Sequence, residues 1–264
     1  MSPLGPFPQL PAVRRGRPLK RWRYVGVFDE RLMLCVGDAR VGPTRQTFWA
    51  VWDRRAGVLR EHTGWLRHRP VALRPAGLSV RGADVSIELE IEEVAGVETI
   101  CSHGHNHVWT RKQGDVRARG TVELDGTKIV IDARGMIDDT VGYHARETSW
   151  FWAAGVGSSA DGANVAFNLV AGVNDPERAS ERSVWVDGVS HEPDRVVFVP
   201  DLSRVHGGDL DLSFEPEAER ARRDEWLLAA SDYRQPFGRF SGSLGSGLTL
   251  RGGLGVMERH HARW

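Results

Sequence analysis

The stretch that decides the fold is Val116-Arg-Ala-Arg-Gly-Thr-Val-Glu123, Leu124-Asp125-Gly126-Thr127, Lys128-Ile-Val-Ile-Asp132. Two runs of β-forming residues flank an Asp-Gly dipeptide. That pair accepts the positive φ angles of a two-residue type I′ turn, so Val116 to Glu123 and Lys128 to Ile137 are predicted to pair as a hairpin. The same punctuation recurs at Asp161-Gly162, between Trp150–Gly157 and Asn164–Val170. It recurs again at Asp187-Gly188, between Arg182–Val186 and Ser190–Val199. Elsewhere the hydrophobic period is two. Val85, Ile87, Leu89 and Ile91 share one face, with Glu88, Glu90 and Glu92 on the other. Trp22, Tyr24, Gly26 and Phe28 likewise share a face. In all, roughly fifteen short strands are predicted, which indicates an all-β protein of barrels or sandwiches.

That many strands exceed one small barrel, so two tightly packed antiparallel β-barrel or sandwich halves are expected. An extended tail over residues 1–20 precedes them. One half is assigned to residues 21–135 and the other to 136–264. The one rival to strand is Glu217–Ala230, rich in helix formers but flanked by strands, and it is left open between the two. Trp264 is expected to plug a barrel end.

The 264 residues carry 35 basic and 35 acidic side chains, for a formal net charge of zero. Zero net charge argues against nucleic acid or an anionic membrane surface as partner. The two cysteines, Cys35 and Cys101, cannot make a disulfide scaffold or a four-thiolate zinc site. No run approaches the ~18 apolar residues of a membrane helix, and Met1–Pro18 has no apolar core of a secretory signal. A cytoplasmic location is therefore expected. Phosphate loops, zinc-protease, Cys-x-x-Cys and nucleophile-elbow motifs are all absent from the sequence.

Two clusters carry candidate chemistry. At strand period Cys101, His103, His105 and His107 share a face and suit zinc, whereas Gly104 and Asn106 suit a loop that scatters the rings. No metal or other cofactor is expected, with the His103/His105/His107 group kept as the alternative. The second cluster is Asp138-Asp139-Thr-Val-Gly-Tyr143-His144-Ala-Arg146 ahead of Trp150-Phe-Trp152. A carboxylic acid in an aromatic pocket has its pKa raised and can donate a proton near neutrality. An aromatic wall stabilises the cation that results. The bland reading is that Arg146 merely neutralises the neighbouring carboxylates.

The runs Val108-Trp-Thr-Arg-Lys-Gln113, Arg134 to Trp150, Asn168 to Asp175, Ser180 to Gly188, Tyr233 to Gly238 and Gly255 to Trp264 resemble a bacterial domain family of unknown function, number 2804. The resemblance covers the chain from about Trp22 onward. That family is distantly similar to the carotenoid-hydratase, AttH and tocopherol-cyclase-like proteins. The likeness implies two lipocalin-like β units around an apolar pocket, and acid- or shape-directed hydration or cyclisation of polyenes. Asp138 and Asp139 fall where the Asp of that group's Asp-His-x-x-Gly run lies. His144 stands later than its adjacent His, and Trp150, Trp152 and Asp161-Gly162 match the following hairpin.

The expected partner is thus an apolar small molecule. Asp139 or Asp138 is the expected acid, oriented by Tyr143 and His144. Glu258 and His260 alternate on the last strand and form a candidate proton relay. Lys112 and Arg146 are expected to fix a polar end of the ligand, with Trp109, Trp150, Trp152 and Asn168 along the wall. Glu181 and Arg182 are read as a structural pair. Three functions stay open: an enzyme that hydrates, isomerises or cyclises an isoprenoid or lipid-like substrate, a non-catalytic lipid-binding protein, and a metal-dependent enzyme.

Overall fold

A computed structural model describes residues 10–65, 70–225 and 230–263. Part of the predicted tail, residues 226–229 of the disputed segment, and Trp264 lie outside the described residues. The described chain is all strand and turn, with no helix. A small hairpin, β1 (Val13–Arg14) and β2 (Arg17–Pro18), precedes two large antiparallel sheets.

The first sheet holds β3 (Lys20–Phe28), β4 (Leu32–Val41), β5 (Thr44–Asp53), β6 (Val58–Trp65) and β7 (Val71–Arg74). It continues with β8 (Gly77–Arg81), β9 (Val85–Glu92), β10 (Val97–His103), β11 (Asn106–Leu124) and β12 (Thr127–Gly142). The second holds β13 (Glu147–Ser159), β14 (Asn164–Ala171), β15 (Ser183–Val186), β16 (Val189–His191) and β17 (Val197–Phe198). It ends with β18 (Arg204–Gly207), β19 (Leu210–Glu225), β20 (Ala230–Leu244) and β21 (Thr249–Arg263).

Both sheets have the same topology. In the first, the opening strand β3 pairs with the closing strand β12, giving the order β6-β5-β4-β3-β12-β11-β9-β8-β7, with β10 beside the other end of β11. In the second, β13 pairs with β21, giving β16-β15-β14-β13-β21-β20-β19-β18-β17. Each sheet curls into a half-barrel around its own apolar core. Val25, Leu34, Ile87 and Ile131 belong to one core, and Phe167, Leu212, Phe240 and Met257 to the other. A third cluster joins the halves, with Tyr24, Phe28 and Met136 packed against Trp152, Trp185 and Phe237.

Two of the three Asp-Gly pairs form the type I′ turn, whereas at Asp161-Gly162 only the glycine has a positive φ, 93°, within a longer loop between β13 and β14. Asp125 and Gly126 have φ of 49° and 79°, and Asp187 and Gly188 have 47° and 81°, as type I′ requires. Strand β12 runs continuously through 135 and 136, and the chain passes from one sheet to the other only between Gly142 and Glu147. Residues 217–225 of the disputed segment are strand, because β19 pairs residue by residue with β20 and that ladder overrides local helix propensity.

The junction between halves is tight at Gly114, beside the β11 bulge. A Cβ there would lie 2.4 Å from the fully buried Trp185 ring of the other sheet. Gly114→Ala is expected to destabilise the protein by about 1–3 kcal/mol through overpacking, read as an earlier urea midpoint at unchanged slope. An unshifted midpoint would mean that the halves do not meet closely there.

Candidate functional site

Two rows of cross-strand neighbours face each other between the halves. On the first sheet the row is Lys112 (β11), Asp138 (β12), Tyr24 (β3), Gly37 (β4) and Phe48 (β5). On the second, Val170, Trp152 and Glu258 are register partners across β14, β13 and β21, and Gln235 and Arg220 across β20 and β19. Gln235 joins these two sets by its hydrogen bond to Glu258. The rows enclose a cavity of about 190 Å³. Gly37 makes room for an aromatic wall, since a Cβ there would sit 2.2 Å from the Phe48 ring. Trp22, Trp150, Tyr233 and His260 complete the wall, and the lining reaches solvent at Arg222, which pairs with Asp224 at 2.7 Å.

Glu258 is the distinctive group. Trp150 Nε1 donates to its Oε1 at 2.8 Å and Gln235 Nε2 to its Oε2 at 2.8 Å. Burial pushes its carboxyl up to about 7, and the charge of Asp138 adds to the rise against those two hydrogen bonds. Among the described residues no lysine or arginine pairs with it. His260 Nδ1 lies 3.9 Å from Oε1, and burial drives that imidazole down to about 3, so it is neutral. His260 packs against Trp150 with ring centroids 4.2 Å apart and the planes tilted by 45°, and its Nε2 meets Ser231 Oγ at 2.8 Å.

Asp138 marks the opposite pole. Lys112 Nζ stands 2.6 Å from its Oδ1 and 3.6 Å from Glu181 Oε1. Thr140 Oγ1 and Trp22 Nε1 also donate to Asp138, at 3.1 and 3.3 Å. Burial pulls the Lys112 ammonium down, but Asp138 and Glu181 together carry it above its ordinary value. Burial raises Glu181 against the pull of Lys112. His144 completes this pole, buried against Trp22 at 4.9 Å between centroids.

Several expected site residues lie elsewhere. Successive residues of a strand point to opposite faces, so Asp139 turns into the first half-barrel while Asp138 faces the cavity. There Asp139 meets Arg23 at 3.3 Å and Arg111 at 3.2 Å, with Glu93 bridging the same guanidiniums. Burial lifts it to about 6 against those cations. Tyr143 is a tether, donating at 2.6 Å to the Pro11 carbonyl and packing with Leu19, Val141 and Trp109. Trp109 donates to Glu98 at 3.0 Å, outside the cavity. Arg146 is exposed and far from the role of ligand clamp or carboxylate partner. Asn168 stands behind the wall, accepting from Trp152 Nε1 at 2.7 Å and donating to the Glu181 carbonyl at 2.7 Å. Arg182 pairs with Asp175 rather than with Glu181.

The histidine cluster does not assemble. His105 sits in the turn between β10 and β11, His107 is exposed, and His103 Nε2 meets Asn174 Oδ1 at 2.8 Å. No group of three or more metal-binding side chains occurs among the described residues. Reading the chain missed Gln235, Tyr233 and Arg220, and took Glu181, which lines the cavity beside Lys112, for a structural partner of Arg182. Arg220 Nη1 reaches the Tyr233 hydroxyl at 3.1 Å and the Cys35 sulfur at 3.6 Å, while its Nε holds Glu61 at 2.8 Å. A period-two reading of Tyr233-Arg-Gln235 puts Tyr233 and Gln235 on one face, as it does Glu258 and His260. That was the available signal.

No helix among the described residues is long and apolar enough to cross a membrane. Residues 67–264 match the family model described as Domain of unknown function (DUF2804). No curated protein sequence matches the chain. Among solved structures, an AttH-type protein from Nitrosomonas europaea superposes with a TM-score of 0.57 at 12% identity, over 98% of both chains. Kievitone hydratase from Nectria haematococca gives 0.56 at 11% identity, over 93% of this chain and 88% of that one. The likeness is one of fold: two lipocalin-like half-barrels packed together.

Proposed function

The chain belongs to the DUF2804 family, and from that premise we propose that it is an enzyme which adds water to, isomerises or cyclises an apolar small molecule, with Glu258 as the acid. One observation carries this reading. Glu258 is a buried carboxyl without a basic partner, held near 7 on the wall of an aromatic cavity. A group so placed is half protonated at neutrality and can give its proton to an alkene carbon.

In that step the alkene π pair takes the Glu258 proton and forms a C–H bond. The neighbouring carbon becomes a cation, facing Trp150, Trp152 and Tyr24, whose ring faces stabilise positive charge. Attack by water forms the C–O bond, and the oxonium proton returns to the Glu258 carboxylate. Loss of an adjacent C–H proton to the same carboxylate gives isomerisation instead, while attack by a second double bond closes a ring and moves the cation to that bond's far carbon, which then loses a C–H proton to the Glu258 carboxylate. Asp138, paired with Lys112, faces the cation from the other pole. His260, neutral and 3.9 Å from Glu258, can exchange a proton with the acid through one bridging water and with Ser231 directly.

The rival reading is a binding protein that holds its ligand without changing it, and the hydrogen bonds fixing both Glu258 oxygens favour that reading. Native mass spectrometry of protein from its own host separates the two. Released ligand, returned to fresh protein in H₂¹⁸O, is expected to gain labelled water or to change retention at constant mass. Recovery of the ligand unchanged after long incubation sinks the enzymatic reading.

A further inference from the structure

We propose that the His144 pole of the cavity is built to receive a hydroxyl group of an uncharged, otherwise apolar ligand. The inference rests on the enzymatic reading above and names the substrate class for the same cavity. His144 lies in the link between β12 and β13, where the chain leaves one sheet for the other. It is 4% exposed, lines the cavity, and neither Nδ1 nor Nε2 has a hydrogen-bond partner among the described residues. Leaving a buried polar group unpaired costs about 1–3 kcal/mol, so such groups are satisfied in nearly all folded proteins. A ligand that fills the cavity removes that cost.

The chemistry of the ring limits what the ligand presents. Burial first, and then the neighbouring Lys20, His103 and Lys112, push the imidazole well below its ordinary value, so it is neutral. A neutral imidazole offers one N–H donor and one lone pair. A hydroxyl both donates and accepts, so it serves either nitrogen. A ketone only accepts and an ammonium only donates. Trp22, at 4.9 Å and 31° to the imidazole, gives the carbon next to that hydroxyl a flat apolar floor.

Charge on the ligand is disfavoured by what surrounds the cavity. Each Lys or Arg on the described wall is already engaged. Arg23 is held by Asp139 and Glu93, Lys112 by Asp138 and Glu181, Arg220 by Glu61, and Arg222 by Asp224. A carboxylate or phosphate would have to break one of these pairs. Size points the same way. An apolar cavity of about 150 Å³ accepts benzene, so about 190 Å³ admits a somewhat larger ring system or a short branched chain.

The test uses defined probes and needs no turnover. Dissociation constants for 2-naphthol, naphthalene and 2-naphthoate, and for decahydro-2-naphthol against decalin, are measured by ligand-observed NMR at pH 7. The wild-type protein is expected to bind each hydroxylated probe about tenfold tighter than its hydrocarbon, the gain of one well-made hydrogen bond. The two pairs tell a phenol from an alcohol, and preference in either supports the proposal. His144→Phe should abolish the preference while hydrocarbon binding is kept, and His144→Gln, which retains a donor and an acceptor, should restore most of it. Circular dichroism and melting temperature verify that both variants fold. If His144→Phe does not fold, the wild-type series and His144→Gln decide. Equal affinity within both pairs, a preference that survives in His144→Phe, or tighter binding of 2-naphthoate than of 2-naphthol overturns the proposal. Glu258→Gln should leave the preference untouched, so loss of the catalytic reading and loss of this one are separable.

Discussion

Glu258→Gln is expected to lower turnover by about 10²–10⁴-fold, the usual worth of a positioned general acid, with the fold intact. The amide keeps the volume of the protonated carboxyl but has no proton to give to carbon. Its oxygen still accepts from Trp150 Nε1, and Gln235 can turn its own amide over to accept from the new NH₂ group. The wild-type pH profile carries the same signature. Only protonated Glu258 starts the reaction, so kcat/KM should be level below about 7 and fall about tenfold per unit above it. Retention of more than half the turnover in the variant would remove Glu258 from the mechanism.

The raised carboxyl also leaves a thermodynamic trace that does not need a substrate. Its folded value of about 7 lies above the 4.5 of an ordinary Glu. The folded state therefore binds more protons than the unfolded state between those values. Glu258 contributes its full stability below pH 4.5, loses it progressively as pH rises to 7, and is level beyond. The total is about 3 kcal/mol for a shift of that size. Denaturant titrations of wild type and Glu258→Gln across pH 4–8 should diverge over that window, with the variant gaining relative to wild type as pH rises. Parallel curves would mean that the carboxyl titrates as an exposed Glu does.

Much of the fold is legible in the chain because it is written locally. An Asp-Gly pair such as Asp125-Gly126 announces its turn whatever surrounds it. The topological repeat is not legible. It is a repeat of pairing, first strand with last in each half, and needs no recurrence of side chains at β3–β12 and β13–β21. The site divides the same way. Adjacent carboxylates on a strand must face opposite ways, but β12 is buried on both faces, with Met136 in the joint cluster and Ile137 in the first core. Apolar alternation then cannot tell which of Asp138 and Asp139 meets the cavity. Glu181, Arg220 and Gln235 are hidden for another reason. Glu181 becomes a neighbour of Lys112, and Arg220 and Gln235 neighbours of Cys35, only when the two halves meet, across separations no local pattern spans. The segment Gly104-His105 shows the converse error: a period of two, extended through a turn, put on one face histidines that the turn separates.

Lys112→Met should cost about 3–5 kcal/mol at pH 8, because it removes a fully buried cation held between the buried Glu181 and the half-buried Asp138 and leaves both uncompensated. At roughly 2–4 °C per kcal/mol for a chain of this size, melting falls by roughly 6–20 °C. The pH dependence identifies the cause. Burial already raises the folded value of Glu181 against the pull of Lys112, and removing that lysine lets the rise run without that opposition. A carboxyl so raised contributes full stability below about pH 4 and loses it as pH rises, so the deficit against wild type should be small at pH 4–5 and full by pH 8. Adding Asp138→Asn and Glu181→Gln to Lys112→Met removes the stranded charges and should recover most of the loss, since a buried ion pair replaced whole by neutral groups is often close to neutral in stability. A deficit equal at pH 5 and pH 8 would instead assign the loss to packing of the lysine stem. The triple variant then serves function as well. It should hold ligand in an intact cavity yet turn over slowly, because the negative charge that faces the developing cation is gone.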